Sequence, residues 1–531
     1  MRGREEVVFG LGSTTIDELV AVAHGAPLRV APEALAAVER TNLLLAGLAA
    51  SGQQIYGLTT GVGDLYKVAG VQPDVADVQL GMLRSHASGV GAPHDEPATR
   101  AITAAIVRAL SRGHSGIRPV LVTTLVEMLN RGVTPVAPSQ GSVGYLTATA
   151  HIGLVAFGEG EAWFGGERLP AGTALERAGI APLVPAAREG HAIISGTYEI
   201  TGIGALAVAG ARALVDVADL AGAMSLEALR GNTRGYDPRL QALRPHPGQI
   251  ETARRLNALL EGSEILAANR DHRLQDALSL RCIPQVHGSV RDALAYVEAA
   301  VQTEIDAVTD NPVFVIEDDE LIALPGGNGH GAPVALALDT LAIAVAEVST
   351  MSQARADRLT HAALSGLPAF LASGAPGMSG FMIPPYVSAA LAGENRALAA
   401  PASVHTVPTC AGQEDHVSMG TTAAIKARQA VTNAERIVAI ELLCAAAALD
   451  FHAPLAAGTG TGRAHAAIRE RVAPRDTDRL MAPDIDAVTS LVTDGTLGRV
   501  VADTTTVSAV PAPAAAAPTA ATAPEGDPRA D

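Results

Sequence analysis

The stretch Ala137-Pro138-Ser139-Gln140-Gly141-Ser142-Val143-Gly144-Tyr145-Leu146-Thr147-Ala148-Thr149-Ala150-His151 couples a glycine-rich turn to the apolar run Ile152-Gly153-Leu154-Val155. Gly141 and Gly144 bracket Ser142-Val143, which gives the backbone access to positive φ. A loop of this kind running into an apolar helix aims backbone N–H groups at a helix N-terminus, where negative charge is favoured. Taken alone, the fragment also reads as an ordinary turn before a buried helix.

The chain has 531 residues, enough for a large core. Its net charge of −17, with no Lys/Arg cluster, argues against a nucleic-acid partner. Cys282, Cys410 and Cys444 lie far apart without metal-ligand spacing, so reduced thiols, no metal site and a cytoplasmic setting are expected. The charged start Met1-Arg2-Gly3-Arg4-Glu5-Glu6 has no apolar run behind it, and no apolar segment reads as long and uninterrupted enough to span a bilayer. Abundant alanine and 3% aromatics favour helix-on-helix packing.

Helix starts are expected at Thr14-Thr15-Ile16-Asp17 and at Ala31-Pro32-Glu33, after a short β-prone beginning. Apolar residues recur at helical spacing up to about Leu229, again over Ala332 to Ala356, and again over Thr421 to Leu449. Trp163 to Pro185 reads as a turn-rich surface excursion. Several polar motifs punctuate this pattern. Tyr56 sits in Ile55-Tyr56-Gly57-Leu58-Thr59-Thr60-Gly61-Val62-Gly63, where it is either structural or a base if its neighbours favour phenolate. Ser85-His86 has no carboxylate nearby in sequence to orient it. Arg281, within Leu278-Ser279-Leu280-Arg281-Cys282, suits a carboxylate or an internal ion pair. Gln413-Glu414-Asp415 also fits a helix N-terminus with its preferred carboxylates.

Together, and in this order, these motifs resemble those of the histidine and aromatic amino-acid ammonia-lyases, from about Val8 to Val500. The resemblance implies an all-α fold built on a bundle of long helices and a homotetramer whose active sites draw on three chains. An ammonia-lyase-like domain is expected over 1–505, with an N-terminal active-site part to about 200 and the bundle after it. A disordered Ala/Pro/Thr tail is expected over 506–531. The resemblance implies that Tyr56 removes the substrate β-proton, with Glu414 near the amino group and Ser195 beside the electrophile. Ser85, His86, Arg281, Asn311, Gln413 and Gly63 are implied as substrate-binding residues, Arg281 for the carboxylate and His86 for a polar ring.

The family's electrophile is methylidene-imidazolone (MIO), made when an Ala-Ser-Gly triad cyclises. Here Gly141-Ser142-Val143-Gly144 is present, but Tyr145 follows at once and the triad is missing as a block. Neighbouring positions differ as well: Ser195 stands for Asn, Tyr198 for Gln, Leu278 for Tyr, Gly329 for Phe, and Tyr145 for Asp. The first expectation is therefore an enzyme with no MIO and no other cofactor, similar to ergothionase, releasing trimethylamine from a histidine-like betaine. Tyr145 and Tyr198 would either line its quaternary ammonium site or merely fill the space left by the MIO, and His191, His287 and His405 either re-line the pocket or are structural. Two alternatives stand beside it. One is an ordinary MIO ammonia-lyase or aminomutase whose modified triad is left out of the written sequence. The other is a non-catalytic paralogue that binds a small carboxylate or assembles with an active homologue.

Overall fold

Long apolar stripes build the molecule. The structure, a computed structural model, describes residues 5–67, 75–372 and 377–507. The helices that position the site are α1 (Val75–His86), α2 (Thr147–Ala156), α3 (Glu189–Ile194), α4 (Tyr198–Ala228), α5 (Leu278–Arg281), α6 (Ile283–Ile305), α7 (Ala332–Thr360) and α8 (Gly420–Asp450). In α4, Ile200, Ile203, Ala207, Val208, Ala211, Leu214, Val215 and Ala218 recur at helical spacing and are all buried. In α8 the matching stripe is Ala423, Ala427, Ala430, Ala434 and Val438, also buried. Small side chains let helices approach closely, and α4, α6, α7 and α8 pack on one another as an all-α bundle.

Buried charge pairs run through this apolar bundle. Arg355 Nε and Nη2 donate to the Glu441 carboxylate at 2.5 and 2.9 Å, and both side chains are fully buried. Ser225 Oγ donates to the same carboxylate at 2.6 Å. Of the two readings open for His287, the structural one holds: it lies in the bundle with Nδ1 2.8 Å from Asp219 Oδ1. It is fully buried because α6 turns it towards α4, away from the cavity described below.

The expected helix starts hold. Thr15 caps Ile16–Ala23 in a capping box with Glu18, and Pro32 opens Pro32–Ala50. The β-prone start is a parallel pair of short strands, Val7–Phe9 against Leu28–Val30. Three expectations need correction. The segment Trp163 to Pro185 is not merely turns, since strands Glu161–Phe164 and Glu167–Pro170 lead into helix Ala171–Ala178, which buries Ala171, Ala174 and Leu175. Two helical segments, Glu189–Ala228 and Ala332–Thr360, are long and apolar enough to cross a membrane, although the sequence reading found none. Most of each is buried within the chain, because the bundle takes up their apolar faces. A fourth long helix, α6, went unread although Val290, Leu294, Val297 and Val301 carry its stripe. The last described helix, Thr496–Val507, ends two residues into the expected tail, and residues 508–531 lie outside the described residues.

Candidate active site

Three of the long helices begin around one cavity. Ile194 and Ser195 precede α4, His330 precedes α7, Ser418 precedes α8, and all four line a space of about 740 Å³. Helix N-termini favour negative charge, so the geometry suits a ligand with a carboxylate. Loops carrying Tyr56, Gly63, Tyr145, Asn311, Gln413 and Glu414 complete the wall.

The Tyr56 phenol oxygen accepts the Gly63 N–H at 2.7 Å. Burial pushes this phenol above its ordinary range; the Gly63 bond opposes the shift, the Glu414 carboxylate and Cys410 add to it, and Arg188 pulls it down. Gly63 has φ +58, and a Cβ there would fall 2.6 Å from Cys410 Sγ, so the loop closes only with glycine at this position. Glu414 Oε2 accepts from Thr409 Oγ1 at 2.9 Å, and the Thr409 N–H donates to the Glu414 carbonyl at 2.8 Å. Ser195 Oγ accepts the Asn311 N–H at 3.0 Å, and Asn311 Oδ1 accepts the Gly326 N–H at 3.1 Å. His86, at the end of α1, places Nδ1 2.8 Å from the Met82 carbonyl. A carbonyl only accepts, so Nδ1 carries the proton and Nε2 is left as an acceptor.

The glycine-rich loop is tied down from behind. Ser142 Oγ lies 2.9 Å from Thr421 Oγ1, which in turn lies 3.0 Å from Glu199 Oε2, and His94 Nε2 contacts the other Glu199 oxygen at 3.0 Å. The Met419 N–H donates to the Val143 carbonyl at 2.8 Å. Gly141 has φ +123, and a Cβ at Gly144 would fall 2.5 Å from Ser418 Oγ. Val143, Tyr145 and Leu146 face the cavity. Burial, then Glu414, Tyr56 and Cys410, push the Tyr145 phenol up to about 12. Leu146, the N-cap of α2, has φ 90 and ψ −57, a conformation that leucine avoids.

Three expected site residues are not brought in. Tyr198 does not line the cavity: it is buried in the first turn of α4, with its hydroxyl donating to the carbonyls of Ala192 at 3.1 Å and Ser195 at 3.3 Å. Its ring fills the space behind Ser195, where a Cβ at Gly196 would fall 2.4 Å from Tyr198 Cζ. Ser85 faces outward and donates to the Met82 carbonyl at 2.9 Å. Arg281 ends the short helix α5, away from the cavity lining of its own chain, and its Nε is buried without a hydrogen-bond partner. Of the other histidines singled out, His191 lines the cavity and His405 does not. Among the lining residues that sequence reasoning passed over are His330, His416 and Cys410. His330 and His416 stack with ring centroids 5.2 Å apart and Nε2 3.1 Å from Nδ1, and His416 follows directly on Gln413-Glu414-Asp415. Cys410 accepts the Asp64 N–H at 3.4 Å, with no sequence signal to mark it.

The sequence profile described as aromatic amino acid lyase matches residues 14–470. The chain belongs to the aromatic amino acid lyase family. It is 48% identical over 487 residues to a histidine ammonia-lyase of Symbiobacterium thermophilum, covering 91% of this chain and 96% of that one. The crystal structure of histidine ammonia-lyase from Trypanosoma cruzi superposes with a TM-score of 0.87 at 37% identity, covering 94% and 96% of the two chains. A tyrosine aminomutase from Streptomyces globisporus gives 0.89 at 33% identity, covering 94% and 99%. The ergothioneine-degrading ergothionase from Treponema denticola gives 0.85 at 28%, covering 93% and 99%. The protein is an ammonia-lyase-type enzyme with the all-α fold of its relatives, which displaces the expectation of a non-catalytic paralogue.

Proposed function

We propose that this aromatic amino acid lyase eliminates ammonia from L-histidine or a closely related aromatic amino acid, with Tyr56 as the base for the β-proton. The observation that carries the reading is the Tyr56 phenol, held by the Gly63 N–H in one cavity with Glu414. A hydrogen bond to the phenolate favours the ionised, basic form. His86 adds an acceptor, Nε2, that suits the N–H of an imidazole ring and offers nothing to a phenyl ring. The 48% identity to a histidine ammonia-lyase supports the same substrate. It also favours the ordinary lyase over the MIO-free enzyme expected first.

MIO, when present, supplies an electrophile that takes up the substrate amine and makes it a better leaving group. As written, the chain has no Ala-Ser-Gly to cyclise, yet the surroundings fit the group between Gly144 and Tyr145. The loop there borders the cavity and rejoins α2 through the unfavourable φ 90 of Leu146, which a loop three residues longer would relieve. Ser195 and Gly329 line the same cavity and would flank the group. Arg281, with its partnerless Nε, would enter from a second copy and bind the carboxylate, which makes the working unit an oligomer of the homotetrameric kind.

The second reading is the betaine lyase, supported by the direct passage from Gly144 to Tyr145 and by Tyr145 lining the cavity together with Glu414. Two measurements separate the readings. The ammonia-lyase reading expects an intact mass that exceeds the written chain by a dehydrated Ala-Ser-Gly, with ammonia released from histidine and the activity lost on treatment with cyanide or borohydride. A mass equal to the written chain, with trimethylamine released from a histidine betaine, overturns it in favour of the second. A protein inert on amino acids and betaines alike overturns both.

A further inference from the structure

We propose that His191 is a positioning residue for Tyr56, anchored by the Arg188–Asp310 ion pair where its ring edge meets the Gly57 backbone. Arg188 and Asp310 are both buried to the last atom or nearly so. Arg188 Nη2 donates to both Asp310 carboxylate oxygens at 2.8 Å, and Nε donates to the Ser115 carbonyl at 3.4 Å. The remaining Nη1 meets His191 Nδ1. A guanidinium only donates, so Nδ1 is the acceptor and the ring proton sits on Nε2. Burial first, then Arg188 and His86, hold the imidazole well below its ordinary range, which keeps it neutral beside the cation.

The same Nδ1 edge of the imidazole bears on the catalytic loop. Gly57 has φ +63, and a Cβ there would fall 2.2 Å from His191 Nδ1, so the loop backbone lies directly against the ring. The next ring along, Tyr56, stands 5.8 Å from His191 between centroids and is tilted by 58°. The loop is thus fixed at two places, at its start by His191 and at its far end by the bond from the Gly63 N–H to the phenol. Between them, the N–H groups of Leu58, Thr59 and Thr60 all donate to the Ile55 carbonyl. Asp310, through Arg188 and His191, sets where the phenol stands.

The inference rests on Tyr56 being the base, and two readouts keep the two claims apart. In the full-length protein, His191→Leu supplies bulk without an acceptor for Arg188, whereas His191→Asn keeps a side-chain acceptor. With His191→Leu, amide hydrogen exchange over residues 55–63 is expected to speed up, and kcat to fall roughly 10²-fold with KM changed less than about twofold. His191→Asn is expected to restore most of both. Wild-type exchange and kcat in His191→Leu would overturn the proposal, as would an Asn variant that folds normally but behaves like Leu. Should the Leu variant fail to fold, exchange and kcat in His191→Asn decide, and loss of both in a normally folded protein overturns the proposal. The exchange readout needs no turnover, so an inert wild type would sink the lyase reading while leaving the loop-positioning claim open to test.

Discussion

The Tyr56 phenol accepts the Gly63 N–H at 2.7 Å, so the proposed base is hydrogen-bonded across its own loop. That bond is made to the oxygen that must carry the negative charge, and it stabilises the phenolate relative to the phenol. Tyr56→Phe removes the proton acceptor and leaves the ring in place. Turnover is expected to fall by about 10²–10⁴-fold, with substrate affinity nearly intact. Steady-state kinetics together with calorimetric binding check this, and a Phe variant at full rate would remove Tyr56 from the reaction.

The pH profile follows from the same phenol. Burial and Glu414 both push Tyr56 above its ordinary range, so the basic form grows only as pH rises, and kcat/KM is expected to climb into the alkaline region. Glu414→Gln removes a negative charge that opposes ionisation. The alkaline limb should therefore move to lower pH, whatever the variant does to the absolute rate. A pH–rate series on both proteins reads the sign directly, and a shift to higher pH would contradict it.

Arg281 provides a test of assembly. Its Nε is buried without a partner and it does not line its own chain's cavity. Arg281→Lys keeps the charge but loses the bidentate fork, and is expected to weaken carboxylate binding by about 1.5–3 kcal/mol. If the residue acts in a neighbouring copy, mixed oligomers of Tyr56→Phe and Arg281→Ala chains should recover activity that neither shows alone. Mixtures that stay inactive after co-refolding would overturn the role of Arg281 in a neighbouring copy.

The Arg355–Glu441 pair at the centre of the bundle is fully buried on both sides. Arg355→Met leaves the Glu441 carboxylate uncompensated, and is expected to cost about 3–5 kcal/mol of stability. The double replacement Arg355→Met/Glu441→Leu should regain most of it, because no buried charge is then left over. Urea unfolding midpoints of the wild type and the two variants compare directly.

Three of the four long helices, α4, α7 and α8, were legible in the sequence because their information is local. The stripes of α4, α7 and α8 repeat every three or four residues, and a buried face demands that repeat wherever the helix packs. The loop glycines were legible too, since Gly63 cannot carry a Cβ against Cys410. Motif position marked Ser195 and Tyr198 together, three residues apart, yet only one reaches the cavity. Packing behind Ser195 turns the Tyr198 hydroxyl back onto the Ala192 and Ser195 carbonyls. Ser85 and His86 are neighbours in sequence, and the end of α1 presents only His86 to the cavity. Arg281 carries a clear motif and still lies outside its own chain's cavity. By itself the sequence determined which segments are helical and which residue types the chemistry has to hand. Which side chains share one cavity was decided by the tertiary structure. Tyr56, Tyr145, Ser195, Asn311 and Glu414 come from five separate loops, and only the packing of helices far apart in the chain brings those loops to one place.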